Sequence, residues 1–249
     1  MNRFEDKVVL VTGAAGGIGK ASAMRIAQEG GRIFCVDVQR EAVEQSAKEI
    51  IQAGGQAFGA CCDISDPADV ESVVNLALET YGRLDSLCNI AGILHFHNTH
   101  ELTLDLWSQI LSVNLTGTFL MCQTALPHLL ESGGNIVNMS STAALAGHPW
   151  TAAYSASKGG ILALTRTFAV EYGRKGLRAN SVCPGSVKTS MHKQFSLPEG
   201  ADETLLQRIM ALDRFRGPEA AAAVVAFLAS EDAAHVNGEE IRVDGGTLA

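Results

Sequence analysis

The chain has no excess of basic residues: 19 Lys and Arg stand against 27 Asp and Glu, a formal charge of −8. A general nucleic-acid or anionic-membrane binder would carry a basic footprint, so neither partner is expected. Long hydrophobic runs are also missing. The longest, 220–229, has ten residues, and a membrane helix needs roughly 20. The opening Met1-Asn2-Arg3-Phe4-Glu5-Asp6-Lys7 lacks the apolar core of a signal peptide. The six cysteines, Cys35, Cys61, Cys62, Cys88, Cys122 and Cys183, form no C-x-x-C pair, so zinc and thioredoxin-like readings lack support. Several lie in apolar runs that read as central strands. Buried free thiols in a reducing cytoplasm are the expectation. No linker, repeat or low-complexity segment divides the chain, so a single domain is expected over 1–249.

What is present is abundant core material. Hydrophobic residues make up 47% of the 249 positions and charged residues 18%, which excludes disorder as the main state. At this length roughly 70–75% of the unfolded chain's surface can be buried. Short apolar runs at 8–11, 33–36, 57–62, 84–89, 135–139, 179–183 and 241–243 alternate with longer periodic stretches at 17–28, 40–53, 67–81, 104–130, 153–172 and 218–229. Strands alternating with helices predict an α/β protein with a parallel sheet. Ser65-Asp66-Pro67 and Gly217-Pro218-Glu219 supply helix-start signals. An eight-fold barrel has a similar length, but seven strands and the first loop count against it.

That loop reads Thr12-Gly13-Ala14-Ala15-Gly16-Gly17-Ile18-Gly19 and leads from a strand straight into a helix. Glycine permits tight turns and close approach of a ligand to the backbone. The helix start offers unpaired N–H groups and a positive dipole end to a diphosphate. A glycine-rich turn that only packs the helix on the sheet would look similar. The spacing, G-x-x-x-G-x-G on Gly13, Gly17 and Gly19, resembles the classical short-chain dehydrogenase/reductase (SDR) family. The likeness runs from end to end, including the closing Val243-Asp244-Gly245-Gly246. The resemblance implies a single-domain, Rossmann-like, doubly wound parallel sheet of seven strands with helices on both faces.

Asp37 ends the second strand, eighteen residues after Gly19. An acid about 20 positions on accepts hydrogen bonds from the adenosine ribose and repels a 2′-phosphate. It could instead cap the next helix. Ala14 and Ala15 stand where family members using NADP often carry a basic residue. Both features favour NAD, and Arg40 could soften the preference. The resemblance further implies that Asp63 contacts the adenine amino group with Ile64 packed nearby, and that Ala91 and Gly92 allow approach to the ribose. Asn89-Ile90-Ala91-Gly92 departs from the family's Asn-Asn-Ala-Gly at Ile90, which puts a local stabilising hydrogen bond in doubt. Pro184-Gly185-Ser186-Val187-Lys188-Thr189 matches a segment that contacts the nicotinamide carboxamide through Thr189 and the backbone near Val187; a plain turn is the other reading.

Tyr154-Ser155-Ala156-Ser157-Lys158 puts Tyr154 and Lys158 on one helix face. A free tyrosine, with a pKa of about 10, is a poor base at neutral pH, and a nearby ammonium favours its phenolate. A surface pair would share this spacing. Ser141, thirteen residues before Tyr154, stands at the family's catalytic serine position. Val113-Asn114-Leu115-Thr116-Gly117 places poor mid-helix residues inside a long helical stretch, a local conflict that marks a functional distortion. Asn114 matches the family's fourth catalytic residue. The implied roles are Tyr154 as general acid/base, Ser141 polarising the substrate oxygen, Lys158 binding the nicotinamide ribose and lowering the Tyr154 pKa, and Asn114 holding a water that links Lys158 to solvent.

Ligands of such sheets bind outside the carboxyl ends of the strands, so Leu94, His95, Phe96, Ala143, His148, Trp150, Met191, His192 and Phe195 are expected to line the substrate mouth. Residues 189–214 would form a lid. The histidines at 95, 97 and 100 lack a carboxylate or cysteine at ligand spacing, so no metal is expected. The leading expectation is an NAD-dependent dehydrogenase of secondary alcohols or ketones. The alternatives are an NADP-dependent 3-oxoacyl-carrier-type ketoreductase and a non-catalytic dinucleotide sensor. The resemblance also implies a homotetramer paired through the helices at 104–130 and 153–172.

Overall fold

The computed structural model describes residues 2–188, 196–212 and 216–249. Seven parallel strands form one sheet in the order β3-β2-β1-β4-β5-β6-β7. They are β1 Val8–Thr12, β2 Arg32–Asp37, β3 Gln56–Cys61, β4 Ser86–Asn89, β5 Asn135–Met139, β6 Arg178–Pro184 and β7 Glu240–Val243. The helices are α1 Gly17–Gln28, α2 Arg40–Gln52, α3 Pro67–Tyr81, α4 Leu104–Leu111, α5 Gly117–Ser132, α6 Ala152–Tyr172 and α7 Glu219–Ala229.

The apolar runs of the central strands, such as β1 and β4, reflect burial on both faces of the sheet. Alternate side chains of β1 enter separate cores. Val8 and Leu10 pack with residues of α3, α5 and α6, such as Val74, Met121 and Phe168. Val9 and Val11 pack with residues of α1, α2 and α7, such as Ile26, Val43 and Val225. Strand order reverses between β1 and β4, because β1 pairs with β2 on one side and β4 on the other. That switch point opens a crevice at the carboxyl ends of the strands.

Local chemistry sets the element ends. Asp66 caps α3 by accepting from Ala68 and Asp69 N–H, Pro67 follows, and Gly82 closes the helix at φ 76°. These are the preferred residues at each place. Pro218 caps α7 rather than beginning it. Leu84 and Asp85 precede β4. The Asp85 carboxylate accepts the Val8 N–H at 2.9 Å, so this lead-in braces β1.

The main departure lies in the expected helix at 104–130. It is two α-helices joined by a π-helical turn, Ser112–Thr116. The extra residue in the turn carries Asn114, and the Gly117 N–H bonds back five residues to the Ser112 carbonyl. Such turns occur frequently at functional sites.

All six cysteines are free, and all except the partly exposed Cys61 are buried. Among the described residues no helix is long and apolar enough to cross a membrane, and no group of His, Cys, Asp and Glu has metal-holding geometry.

Candidate active site

The glycine loop is built around contacts that leave no space for side chains. Gly13 has φ 70°, and a Cβ there would lie 2.9 Å from the Ala91 Cα. A Cβ on Gly19 would meet the Gly13 carbonyl oxygen at 2.0 Å. Gly17 opens α1 at φ 53°. Gly16 caps α1 without a side-chain acceptor, so the N–H groups of the first turn receive no side-chain cap there. Thr12, just before the loop, accepts from the Ile90 and Ala91 N–H groups at 3.0 and 3.1 Å. This bond ties the ends of β1 and β4 together across the switch point. A bare helix start behind a compact glycine turn fits an anionic diphosphate.

The flanking positions extend this cradle. Asp37 is partly exposed; its Oδ2 accepts from Ala15 N–H and its Oδ1 from Gln39 N–H. It forms a turn between β2 and α2, and α2 has no side-chain cap bond. Asp63 is exposed after β3 and holds Ser65 through Oδ1. Ile64 is buried against Gly117, where a Cβ would lie 2.8 Å from Ile64 Cγ1. Asn89 donates to Asn138 Oδ1 at 2.9 Å and to Cys122 Sγ. Its own buried Oδ1 has no partner among the described residues. Ile90 packs against the α1-side core, and Ala91 and Gly92 follow it as in the family pattern.

On the opposite side of the crevice, Gly185 N–H bonds to the Val243 carbonyl, and a Cβ there would meet Asp244 at 2.9 Å. The Pro184 carbonyl accepts from Thr142. Val187 pairs with Arg216 in a parallel bridge. Thr189, Met191, His192 and Phe195 lie outside the described residues, as does part of the expected lid.

The four candidate catalytic residues converge. Ser141 follows β5 and is buried; its Oγ accepts the Ala143 N–H at 3.1 Å. The Tyr154 hydroxyl shares a hydrogen bond with Ser141. Lys158 is buried, donates to the Met139 carbonyl at 2.8 Å, and has Nζ 5.6 Å from the centre of the Tyr154 ring. Burial pushes its ammonium down to about 8. Burial pushes the Tyr154 hydroxyl above its ordinary value, and the Ser141 bond acts against that rise. The lowering expected of Tyr154 is set against this desolvation of the phenolate, which is the largest influence on the hydroxyl in the protein alone.

Asn114 is fully buried in the π-turn. Its Oδ1 accepts the Ile93 N–H at 2.8 Å, while its Nδ2 donates to the Ile93 carbonyl at 2.9 Å and to Ser157 Oγ at 3.1 Å. Both amide hydrogens are used. A water expected at Asn114 would have to use the main-chain carbonyl, which already accepts from Thr118 at 2.7 Å. Gly92 sits between the parts: a Cβ there would lie 3.1 Å from Asn114 Oδ1 and 3.3 Å from Lys158 Nζ.

Sequence reasoning missed Ser140, Ser157 and the main chain of Ile93 and Met139. Ser140 donates to the Lys158 carbonyl at 2.9 Å. Main-chain acceptors carry no residue signature, and the two serines had no distinguishing pattern beyond their proximity to the motif.

Of the expected substrate-side residues, Leu94 is partly buried, His95 exposed and Ala143 buried. Trp150 is a non-glycine residue at φ 60°, held by a bond from His97 N–H to its carbonyl at 2.9 Å. His148 is partly buried, and its Nε2 is enclosed without a hydrogen-bond partner among the described residues. Burial favours its neutral form.

Fold and site together define a Rossmann-like α/β oxidoreductase. A family model described as Enoyl-(Acyl carrier protein) reductase matches residues 13–247. The meso-2,3-butanediol dehydrogenase of Serratia marcescens is 41% identical over 247 residues, covering 99% of this chain and 96% of that protein. The 3-oxoacyl-(acyl-carrier-protein) reductase of Thermotoga maritima is 38% identical over 247 residues, covering 99% of each chain. The crystal structure of a 3-ketoacyl-(acyl-carrier-protein) reductase from Brucella melitensis complexed with NADH superposes with TM-score 0.90 at 32% identity. The match covers 98% of this chain and 99% of that one. The chain belongs to the short-chain dehydrogenase/reductase family.

Proposed function

We propose that this protein is an NAD-dependent oxidoreductase that transfers a hydride between NAD(H) and a secondary alcohol or ketone. The observation that carries this reading is the convergence of Asn114, Ser141, Tyr154 and Lys158 beside the Gly13–Gly19 turn. Gly13, Gly17, Ile18 and Gly19 would hold the diphosphate. Asp37 would hold the adenosine ribose, and Asp63 and Ile64 the adenine. Asn89, Ala91 and Gly92 would form the floor, with Pro184, Gly185, Val187 and Thr189 at the carboxamide. Bound NAD supplies the hydride chemistry, which no side chain here can supply.

The residues handle the proton and the orientation. Tyr154 exchanges a proton with the reacting oxygen. Ser141, hydrogen-bonded to the same hydroxyl, polarises that oxygen. Lys158 holds the ribose and keeps positive charge near Tyr154. Leu94, His95, Ala143, His148, Trp150, Met191 and Phe195 would face the substrate, under a lid at 189–214.

The alternative of an NADP-dependent carrier ketoreductase draws on the names of the matching family model and the Thermotoga relative. Asp37 favours the NAD reading, because a fixed carboxylate repels a 2′-phosphate. The absence of Lys and Arg between 124 and 134 weighs against an acidic carrier. A non-catalytic sensor would have no use for a complete tetrad.

We further propose a homotetramer in the cytoplasm with small-molecule substrates and neither nucleic acid nor membrane as partners. An open groove of about 400 Å³ supports the pairing of subunits. It lies between α5 and α6 and is lined by residues including Leu115, Phe119, Gly160, Ala163 and Leu164.

The test is Tyr154→Phe, assayed on a panel of secondary alcohols and ketones with NAD(H) and NADP(H) in parallel. Meso-2,3-butanediol and cyclohexanol belong in the panel because related proteins are named for them. The expected result is turnover by the wild type, loss of turnover in the variant, and retained NADH binding. Full turnover by the variant would refute the assignment.

A further inference from the structure

Ser157 lies between Tyr154 and Lys158 on α6, and nothing in the proposed chemistry uses it. It is fully buried. Its Oγ donates to the Tyr154 main-chain carbonyl at 2.7 Å and accepts from Asn114 Nδ2 at 3.1 Å. The second bond completes the Asn114 amide, whose other contacts are both to the Ile93 main chain. One continuous chain of bonds therefore runs from the loop after β4, through the π-turn, to the first turn of α6.

The amide orientation matters because its oxygen and Lys158 Nζ both border Gly92. Asn114 Oδ1 and Lys158 Nζ approach the same hydrogen position on Gly92, where a Cβ would stand 3.1 and 3.3 Å from them. The negative end of an amide dipole near an ammonium favours the charged form. Rotation of the amide would bring its NH2 group there instead. Replacing the Ser157 hydroxyl leaves one Nδ2 hydrogen buried without an acceptor, which costs the full desolvation of that group. The amide or the π-turn must then shift to recover a partner.

We propose that Ser157 is a positioning residue for proton transfer: it locks the Asn114 amide and the first turn of α6 so that Lys158 keeps its charge beside Tyr154. This rests on the oxidoreductase reading above. The titratable groups facing Lys158 are Tyr154 on the same helix and Cys183 at the end of β6. The Cys183 thiol is pushed up by burial to about 11, so it stays neutral through the pH range of the test.

The experiment compares wild type, Ser157→Ala and Ser157→Thr in the complete enzyme. It uses NAD and whichever panel alcohol the wild type oxidises fastest. Oxidation requires Tyr154 to accept a proton, so a less stable Lys158 ammonium raises the pH at which oxidation sets in. Ser157→Ala is expected to lower kcat about tenfold and to move the acid limb of kcat upward by about half a pH unit. The KM for NAD should stay within about twofold, because the diphosphate cradle is untouched. Ser157→Thr, which keeps the oxygen, should restore kcat and the limb. If Ser157→Ala does not fold, Ser157→Cys, similar in shape but a weak acceptor, takes its place. An unmoved acid limb, or a folded Thr variant that restores neither quantity, overturns the proposal and leaves the oxidoreductase reading standing. A wild type that turns over no alcohol or ketone overturns both.

Discussion

The Ala15 main-chain N–H, in the glycine loop, donates to Asp37 Oδ2 at 3.1 Å. With Gln39 N–H on the other oxygen at 3.0 Å, the carboxylate is held at the end of β2 by two main-chain donors. A charge held there repels a phosphate on the adenosine ribose and accepts hydrogen bonds from an unmodified one. Replacing Asp37 by Ser removes the repulsion, while Arg40 remains nearby in sequence and exposed. The preference for NAD over NADP, as a ratio of kcat/KM, should fall by about 100-fold, roughly 2.7 kcal/mol. Parallel kinetics with the two cofactors measure it. A wild type that already prefers NADP would sink the argument.

The Lys158 ammonium, pushed down by burial to about 8, gives a pH dependence with a definite sign. Below that value the group is charged and can donate to ribose hydroxyls; above it, a donor and a charge are lost. NADH affinity, followed by fluorescence titration, should therefore be constant from about pH 6 to 7 and weaken as pH rises through about 8. Lys158→Met should bind more weakly and show a flat profile. A wild-type Kd that does not change up to about pH 9.5 would contradict a role for this ammonium in cofactor binding.

His148 combines two unfavourable features with its neighbour Trp150. Its Nε2 is buried without a partner among the described residues, and Trp150 adopts φ 60°. An unsatisfied buried polar group costs about 1–3 kcal/mol, and functional sites tolerate such costs. His148→Phe should keep the melting temperature or raise it by a few degrees, while kcat/KM for the preferred alcohol falls about tenfold. Thermal melts and kinetics on one preparation separate the effects. Lower stability with unchanged kinetics would mean that His148 serves only packing.

The residues that could be read from the sequence are those whose chemistry is local. The apolar runs mark the strands most clearly at the centre of the sheet, where β1 and β4 are buried on both faces, and less fully at the edges, where β3 and β7 are partly exposed. Asp66-Pro67 fixes the start of α3 in the same way. Asn114, Thr116 and Gly117 betrayed a disturbance, since they are poor helix formers, but neither its π-helical form nor the bond from Ile93 N–H, 21 positions away, is legible locally. The Tyr154 hydroxyl illustrates a related point. The i, i+4 spacing shows that an ammonium is near, whereas the burial that pushes the hydroxyl up exists only in the folded chain. Ser157 carried no signal, because its donor partner Asn114 is 43 positions away and only the fold brings the two together.

The groove between α5 and α6 leads to the last prediction. Gly160 faces Leu115 so closely that a Cβ would lie 2.8 Å from it, and the missing side chain deepens an open groove flanked by Phe119, Ala163 and Leu164. Phe119 is 38% exposed and Val170, further along α6, is 84% exposed. Contiguous apolar surface of this kind marks an interaction site, and symmetric pairing of two copies buries it on both. Ala163 is exposed within the groove, so Ala163→Arg places two unpaired charges in the contact, one from each copy, without touching the cores. Sedimentation should show a tetramer for the wild type and smaller species for the variant. The wild-type melting temperature should rise with protein concentration, as coupled folding and assembly require, and the dependence should weaken in the variant. A wild type that sediments only as a monomer would overturn the assembly. An Ala163→Arg variant that remains tetrameric would move the interface to another face of the molecule.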